Sequence, residues 1–564
     1  MKKMPIGVSD FKELMENDFF FVDKSLFIKE IIEEDSKVTL LPRPRRFGKT
    51  LNLSMLRHFF EKPEPQRNDE GKATKNLFSN LLISKESVFS KHLGRYPVIY
   101  LTFKDIKSLD FDDALESIKL LIAKEYRRHG HLLKSEALDD FEKEDFQNIA
   151  AVKAGISLFE RSLLDLSHYL YKHHNERPVI LIDEYDTPMH HAYAAGHYEK
   201  TSAFFRSFLS AGLKDNPDIF KGVLTGILRI AKESIFSDMN NLGVYSILRE
   251  EYSDCFGFTE PEMEKLAGDC DASDHLENMK RWYNGYRFGR HVIYNPWSIL
   301  NFVGSKDKLF RPYWANTSSN VLIKDLLKKA PPGVKEEFYN LLKDIPIVKR
   351  VEENIDFENL GKNDVAIYNF FLFCGYLKAD QRHEMDNETY CSLSIPNIEV
   401  KQIIKHVILE WINEGYKDHD KLRHMLEALI QGDIDVFGEI LSDFVVTTLS
   451  YFDTAGKKNV ERVYQAFILG LLVNLSLDYE VTSEKESGFG RYDISLIPKE
   501  THKKAVIMEL KTIASHETKD AALKSALAQI EDKKYETDII KRGILDIVKL
   551  GVVFDGKRVW VARG

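Results

Sequence analysis

A chain of 564 residues is too long for one core, and at ~150 residues per domain it holds three or four units. Hydrophobic residues make up 43% and charged residues 30%, which excludes long disorder, and a net charge of -9 excludes a polycation that grips nucleic acid by bulk charge. A nucleic-acid role then needs a local basic surface; residues 501–564 carry 13 Lys/Arg against 9 Asp/Glu, although a solvated charged face explains the same count. Four scattered cysteines, Cys255, Cys270, Cys374 and Cys391, form no Cys-x-x-Cys pair, which argues against a disulfide framework or a zinc cluster. The start runs from Met1-Lys2-Lys3 into polar sequence, and no stretch nears the ~20 apolar residues of a membrane span. We therefore expect no signal peptide, no membrane contact and a cytoplasmic location.

In chain order, Val38–Leu41, Pro97–Phe103, Pro178–Ile182 and Gly222–Ile227 are continuous apolar runs, as strands covered on both faces require. Helical patterns at Leu51–Phe60, Phe111–Arg128 and Ile156–His173 lie between them. That alternation predicts a doubly wound α/β domain with a parallel sheet. The polar, proline-bearing stretch Glu61–Asn76 reads as a loop or insertion.

The first strand runs into Pro42-Arg-Pro-Arg-Arg-Phe-Gly48-Lys49-Thr50 and then a helix. A helix N-terminus after a strand offers unpaired N–H groups and a partial positive charge, the place where phosphate is best held. Lys49 would reach the terminal phosphates and Thr50 would ligate Mg²⁺. Arg43 stands where such loops usually carry their first glycine, and a lone Gly-Lys-Thr is common by chance. A second element strengthens the case: Val179-Ile-Leu-Ile ends in Asp183-Glu184 at the ligand end of a strand. Asp183 suits the Mg²⁺ shell, and Glu184 suits polarising the attacking water. After the fourth strand, Thr225 is a candidate phosphate sensor and Arg229 a candidate neutralising charge, with a plain surface arginine as the simpler alternative.

These strings, together with Val8-Ser-Asp10-Phe11, Val22-Asp23-Lys24-Ser25, Ile182-Asp183-Glu184-Tyr185-Asp186 and Trp282-Tyr-Asn-Gly-Tyr286, resemble the bacterial AAA-ATPase-like family over most of residues 5–320. The resemblance implies that Arg46, Phe47, Gly48, Lys49 and Thr50 form an ATP cradle in which the Arg-Pro-Arg-Arg-Phe-Gly-Lys string replaces the glycine-rich loop. It also implies self-assembly as a homo-oligomer, which AAA-like relatives often show. The nucleotide domain is expected at 1–259.

Residues 260–440 read as a mostly helical middle. A helix at Val365–Leu377, two short strands around Thr389–Leu393 and a Pro-Asn turn suggest a winged-helix-like module, and a helical linker would look much the same.

Residues 441–564 read helix, strand, strand, strand, helix, strand: Val460–Leu475, Tyr479–Glu484, Tyr492–Ile497, Ala505–Lys511, Lys519–Tyr535 and Val548–Phe554, with Arg558–Ala562 closing the sheet. Asp493 opens one strand, and Glu509 and Lys511 share one face of the next because side chains alternate. Paired as a hairpin, these strands bring two carboxylates and a lysine together. Asp493 and Glu509 would bind a hard cation such as Mg²⁺, with Mn²⁺ as a substitute, and Lys511 would orient water or offset charge. Gln529 on the following helix, with Tyr535, would reach back toward the metal or DNA; Glu461 and Glu484 are further candidate carboxylates. Solvent-facing charges on a hairpin are the simpler alternative. The segment resembles the PD-(D/E)XK nuclease superfamily in the form fused to such ATPases, which implies a Mg²⁺-dependent nuclease acting on nucleic acid, DNA first. Two functions remain open at this point. One is an ATP-controlled nuclease; the other is a nucleotide-dependent switch whose nuclease-like fold only binds DNA or a protein partner.

Overall fold

The computed structural model describes residues 2–564 apart from 64–69, 231–235, 237–238, 317–319, 356, 358–359, 361–362, 415–418, 449–463, 466, 469–470, 473–474, 476–477, 488–489 and 514–516. The chain divides into two compact units, one made of Met1–Leu322 with Pro346–Lys401 and the other of Ile323–Ile345 with Gln402–Gly564. The stretch 260–440 is therefore shared between the two units and does not stand alone. Among the described residues no helix is long and apolar enough to cross a membrane.

The first unit is built on a five-stranded parallel sheet in the order Val98–Thr102, Val179–Asp183, Lys221–Gly226, Val38–Pro42, Leu242–Val244. The three middle strands are buried along their whole length, as their apolar runs predict. Parallel register puts Thr102 beside Asp183 and Pro42 beside Gly226, so both motif strands end at one edge of the sheet. The edge strand Leu242–Val244 was not expected; three residues give no periodicity to read.

Helices flank this sheet where the sequence places them. Phe111–Arg128 starts at Asp110, whose side chain accepts from Asp113 N, and Ile156–His174 stops at Asn175, which takes a left-handed φ of 51°. One expectation needs correction: the second half of the presumed loop Glu61–Asn76 belongs to a helix, Glu70–Phe78. Phe78 is fully buried and stacks on Phe11 at 4.9 Å. Burial of one such ring is worth ~1.5–3 kcal/mol, enough for tertiary packing to override a polar local sequence.

A helix and a hairpin lie here in the first unit, but of the two short strands expected around Thr389–Leu393 only one stands there, its partner lying earlier in the chain. The helix, Asp364–Phe373, is shorter than predicted because Gly375 turns the chain in the left-handed region at φ 87°. The hairpin joins Lys378–Met385 to Glu388–Ser394 through Asp386 and Asn387, both at positive φ as a tight two-residue turn demands. Ile347–Arg350 pairs with the second strand and makes a three-stranded sheet.

The second unit centres on a five-stranded sheet ordered Tyr479–Ser487, Gly490–Pro498, Ala505–Thr512, Ile547–Asp555, Arg558–Arg563. Only the Ala505 and Ile547 strands run parallel, and the helix Lys519–Asp532 is their crossover. That helix buries Ala522, Ala526 and Ile530, one residue per turn, against the sheet. Gly551 permits the approach: a Cβ there would lie 3.2 Å from Ala526 Cβ. Of the expected helix 460–475, the described residues Tyr464, Gln465, Phe467, Ile468, Leu471 and Leu472 are helical and buried.

Candidate nucleotide and phosphodiester sites

The loop after the Val38 strand is shaped by two left-handed residues, Arg46 at φ 68° and Gly48 at φ 86°. Gly48 caps the helix Lys49–Phe60, so the first helical N–H groups open toward the loop. Arg43, at the position of the usual first glycine, is fully buried. Its guanidinium donates to the carbonyls of Pro42 at 2.8 Å, Tyr245 at 2.6 Å and Tyr252 at 3.0 Å, and lies over the rings of Phe256 and Phe288 at 5.1 and 5.4 Å. Burial pulls its pKa down to about 10. Arg43 thus ties the loop to the segment around Tyr245–Phe256, doing with side-chain donors what a glycine loop does with backbone freedom.

Phe47 is buried against Tyr286 and Phe288, with ring centroids 4.9 and 5.2 Å away, and Arg46 lies 4.1 Å over the Trp297 ring. The Trp282–Tyr286 string therefore supports the loop from behind. Its Gly285 is obligatory, since a Cβ there would sit 2.2 Å from Pro396 O.

Lys49 is buried, and its ammonium donates to the carbonyls of Arg43 at 3.0 Å and Pro44 at 3.1 Å. Burial pushes its pKa down, while the charges of Glu184, Asp186 and Asp183 oppose that shift. Thr50 Oγ1 donates to Asp183 Oδ2 at 2.9 Å, Thr102 Oγ1 to the same oxygen at 3.3 Å, and Thr225 Oγ1 to Asp183 Oδ1 at 2.7 Å. Burial and the neighbouring Glu184 push the Asp183 carboxyl up. Glu184 follows in a left-handed conformation at φ 50°, a strained geometry of the kind that gathers at functional sites. Its carboxylate accepts from Thr187 Oγ1 at 3.2 Å.

A cavity of about 450 Å³ opens here, lined by Arg45, Arg46, Gly48, Lys49, Thr50 and Glu184 on its phosphate side and by Val22, Trp297 and Leu300 on its apolar side. The volume suits a nucleotide-sized ligand. Asp183 and Thr225 do not line it. Thr225 is fully buried behind Asp183, and Arg229 lies on the short strand Arg229–Ile230, paired with Asn354–Ile355. Burial lowers the Arg229 pKa and Glu353 is its foremost opposing charge, and Arg229 does not line the cavity.

Sequence reasoning missed Lys104, Lys107 and Trp297, which line the same cavity, and Thr102, which bonds to Asp183. The two lysines follow the carboxyl end of a strand, the ligand end of such a sheet, and that was the available signal. It also missed Asp186. Its Oδ2 accepts from Ile227 N at 2.8 Å, Leu228 N at 2.9 Å and His190 Nε2 at 3.1 Å, pinning the turn after the Lys221 strand.

In the second unit the Gly490 and Ala505 strands pair antiparallel with Ile494 opposite Met508. The strand pairing ends at Ile494 and Met508, and Asp493 and Glu509 are the next residues on the two strands. Asp493 Oδ2 accepts from Leu510 N at 2.7 Å, and Gln465 Nε2 donates to Asp493 O at 3.0 Å. Glu509 is 1% exposed, and Lys511 Nζ reaches its Oε1 at 3.2 Å. Lys511 Nζ also donates to Gln529 Oε1 at 2.8 Å, and Gln529 Nε2 donates to Tyr535 OH at 3.1 Å. Burial pushes the Tyr535 phenol up, and the charges of Glu509 and Asp493 add to the shift. Glu509, Lys511, Gln529 and Tyr535 thus form one connected group, with Asp493 bonded to the Leu510 backbone beside it and Gln465 bonded to the Asp493 carbonyl, a support that the sequence did not reveal. Glu461 lies outside the described residues, as does the side chain of Glu484.

The donor sets of both sites are chemically consistent with a hard divalent cation: a carboxylate with a hydroxyl at Asp183 and Thr50, and two carboxylates at Asp493 and Glu509.

Comparison with known proteins agrees with this division. Residues 5–236 match the family model described as predicted AAA-ATPase, and residues 459–564 match that of the PD-(D/E)XK nuclease superfamily. A protein of Azotobacter chroococcum mcd 1, described as an uncharacterized protein in the vnfD 5′ region, is 25% identical over 562 residues, spanning 98% of this chain and 96% of that protein. The chain thus carries an AAA-ATPase-like domain in residues 5–236 and a PD-(D/E)XK nuclease superfamily domain in residues 459–564.

Proposed function

We propose that the first unit binds and hydrolyses ATP with Mg²⁺, and that the C-terminal domain is a Mg²⁺-dependent nuclease that cleaves DNA under control of the ATPase, in the cytoplasm. The observation that carries the nuclease half is the linked set Glu509, Lys511 and Gln529, with the Asp493 carboxylate bonded to the backbone N–H of Leu510 between Glu509 and Lys511. An intact set favours cleavage over binding alone, the reading in which nucleotide state only switches a partner-binding fold.

In the first unit, Lys49 and Arg46 would hold the phosphates, Thr50 and Asp183 would hold Mg²⁺, and Glu184 would orient the attacking water and accept its proton. Thr225 would act through Asp183, by fixing the carboxylate it is bonded to. In the second unit, Asp493 and Glu509 would hold the cation. Lys511, positioned by Gln529, would steer the nucleophile and offset charge on the phosphate. When bound, Mg²⁺ or Mn²⁺ supplies charge neutralisation on phosphate and an acidified water. The domain family also makes a homo-oligomer part of the proposal.

The deciding experiment is degradation of plasmid, linear duplex and single-stranded DNA, with RNA beside them, in Mg²⁺ or Mn²⁺, with and without ATP. Metal-dependent cleavage that responds to ATP and disappears in Asp493→Ala supports the reading. Intact substrate in every condition, alongside retained DNA binding, would replace it with the switch.

A further inference from the structure

Away from both sites, His131, His173 and His174 converge, each offering a ring nitrogen within 4.8 Å of the others. His173 and His174 close the helix Ile156–His174, just before the chain turns into the strand Val179–Asp183. His131 lies on the 3₁₀ turn Gly130–Lys134. The cluster therefore sits at the amino-terminal edge of the sheet, whereas Asp183 and the nucleotide cavity are at the carboxyl edge.

Two features favour metal binding here. First, His131 Nε2 and His174 Nε2 share a hydrogen bond at 3.3 Å, so one of the two rings would change tautomer on binding a metal through this atom. A tetrahedral Zn²⁺ with Zn–N bonds of about 2.0–2.1 Å sets neighbouring ligand nitrogens about 3.3–3.4 Å apart. Second, His173 Nδ1 is bonded to Ser135 Oγ at 2.8 Å, which leaves Nε2 for a further ligand, the way a supporting hydrogen bond orients a metal-binding imidazole. The rings meet tilted or edge to face, with centroids 4.6–5.4 Å apart and interplanar angles of 53–84°.

We propose that His131, His173 and His174 form a three-imidazole site for a borderline transition-metal cation, Zn²⁺ first, with solvent completing the coordination. An all-nitrogen set discriminates against Mg²⁺, so this site is chemically separate from the two oxygen-donor sites. His131 and His173 are exposed, which gives the ion a path from solvent. Bound metal would clip the end of the Ile156–His174 helix to the Gly130–Lys134 turn and stabilise the nucleotide domain by mass action.

The test is titration of the full, tag-free chain with Co²⁺ in excess Mg²⁺, which saturates the oxygen-donor sites. The expected result is one equivalent of Co²⁺ with visible bands well above those of the hexaaqua ion, displaced by Zn²⁺. His174→Ala and His131→Gln should each lose these bands, and a Zn²⁺-induced rise in Tm should be seen in the wild type alone. A wild-type titration without such bands overturns the proposal and needs no variant to interpret. Bands that survive both substitutions overturn it as well, by moving the metal elsewhere.

Discussion

The backbone N–H of Leu510, the residue after Glu509, donates to the Asp493 carboxylate at 2.7 Å, just beyond Ile494 and Met508, where the pairing of the two antiparallel strands ends. This bond holds the Asp493 carboxylate against the backbone that carries Glu509. Lys511, two residues along the same face, follows from the same pleat. A side-chain change at any of the three alters chemistry while the sheet that carries them stays paired.

Removing either carboxylate should weaken metal binding, and removing the lysine should not. We expect Asp493→Ala and Glu509→Ala to lower Mn²⁺ affinity by calorimetry and to slow cleavage by several kcal/mol of barrier, roughly a thousandfold or more. Lys511→Ala should bind Mn²⁺ like the wild type and still cleave slowly. Equal Mn²⁺ affinity across all four proteins would remove the carboxylates from the site.

Lys49→Ala should cost nucleotide affinity. A charged hydrogen bond is worth about 1.5–3 kcal/mol, so a fall of ~10–100-fold in ATP binding is expected. Equilibrium titration with a fluorescent ATP analogue reads this directly, and unchanged affinity together with unchanged turnover would end the phosphate assignment.

Glu184→Gln should separate binding from hydrolysis. The amide keeps the shape and loses the base, so ATP affinity should hold within a few-fold while turnover falls ~10²–10⁴-fold. Single-turnover phosphate release is the measurement, and wild-type release would take Glu184 out of the mechanism.

Much of this was legible because the informative signals are local. Strand followed by Gly48-Lys49-Thr50, four apolar residues followed by Asp183-Glu184, and the alternation that sets Glu509 and Lys511 on one face are all short-range patterns. What stayed hidden depends on residues far apart in sequence. Arg43 looked like a missing glycine because its acceptors, Tyr245 and Tyr252, lie some 200 residues away. Trp297 and Lys104 meet the cavity only after the sheet has brought their loops together. The strand Lys378–Met385 is so polar that only its pairing with Glu388–Ser394 marks it as a strand. The helix Glu70–Phe78 likewise owes its place to Phe78 packing, which no local propensity carries.

Arg43→Gly restores the usual glycine of a phosphate loop, and we expect it to harm the protein. It strips three carbonyls, those of Pro42 and Tyr252 in buried bonds and that of Tyr245 in a part-buried one, of their donor and leaves a cavity beside Phe256 and Phe288. The expected loss is on the order of 3 kcal/mol or more of stability. Denaturant unfolding of the first unit checks it, and a variant as stable as the wild type would show that the guanidinium contributes no net tie.

Glu399 sets a pH dependence of the opposite sign to that of an ordinary paired carboxylate. It is fully buried, accepts from Ser298 Oγ at 2.8 Å and Trp314 N at 2.8 Å, and burial pushes its pKa up to about 7. A carboxyl with a raised folded pKa holds more protons when folded than when unfolded between its ordinary value and about 7. Its contribution to stability is therefore fully present below about pH 4.5, is lost as pH rises to about 7, and stays lost above. The size of the loss is on the order of 3 kcal/mol. Glu399→Gln keeps an acceptor for Trp314 N and cannot ionise. It should be more stable than the wild type at pH 8, and the gap should close toward pH 4.5. Unfolding curves of the two proteins across this range provide the comparison, and parallel pH profiles would mean that Glu399 does not titrate in this window.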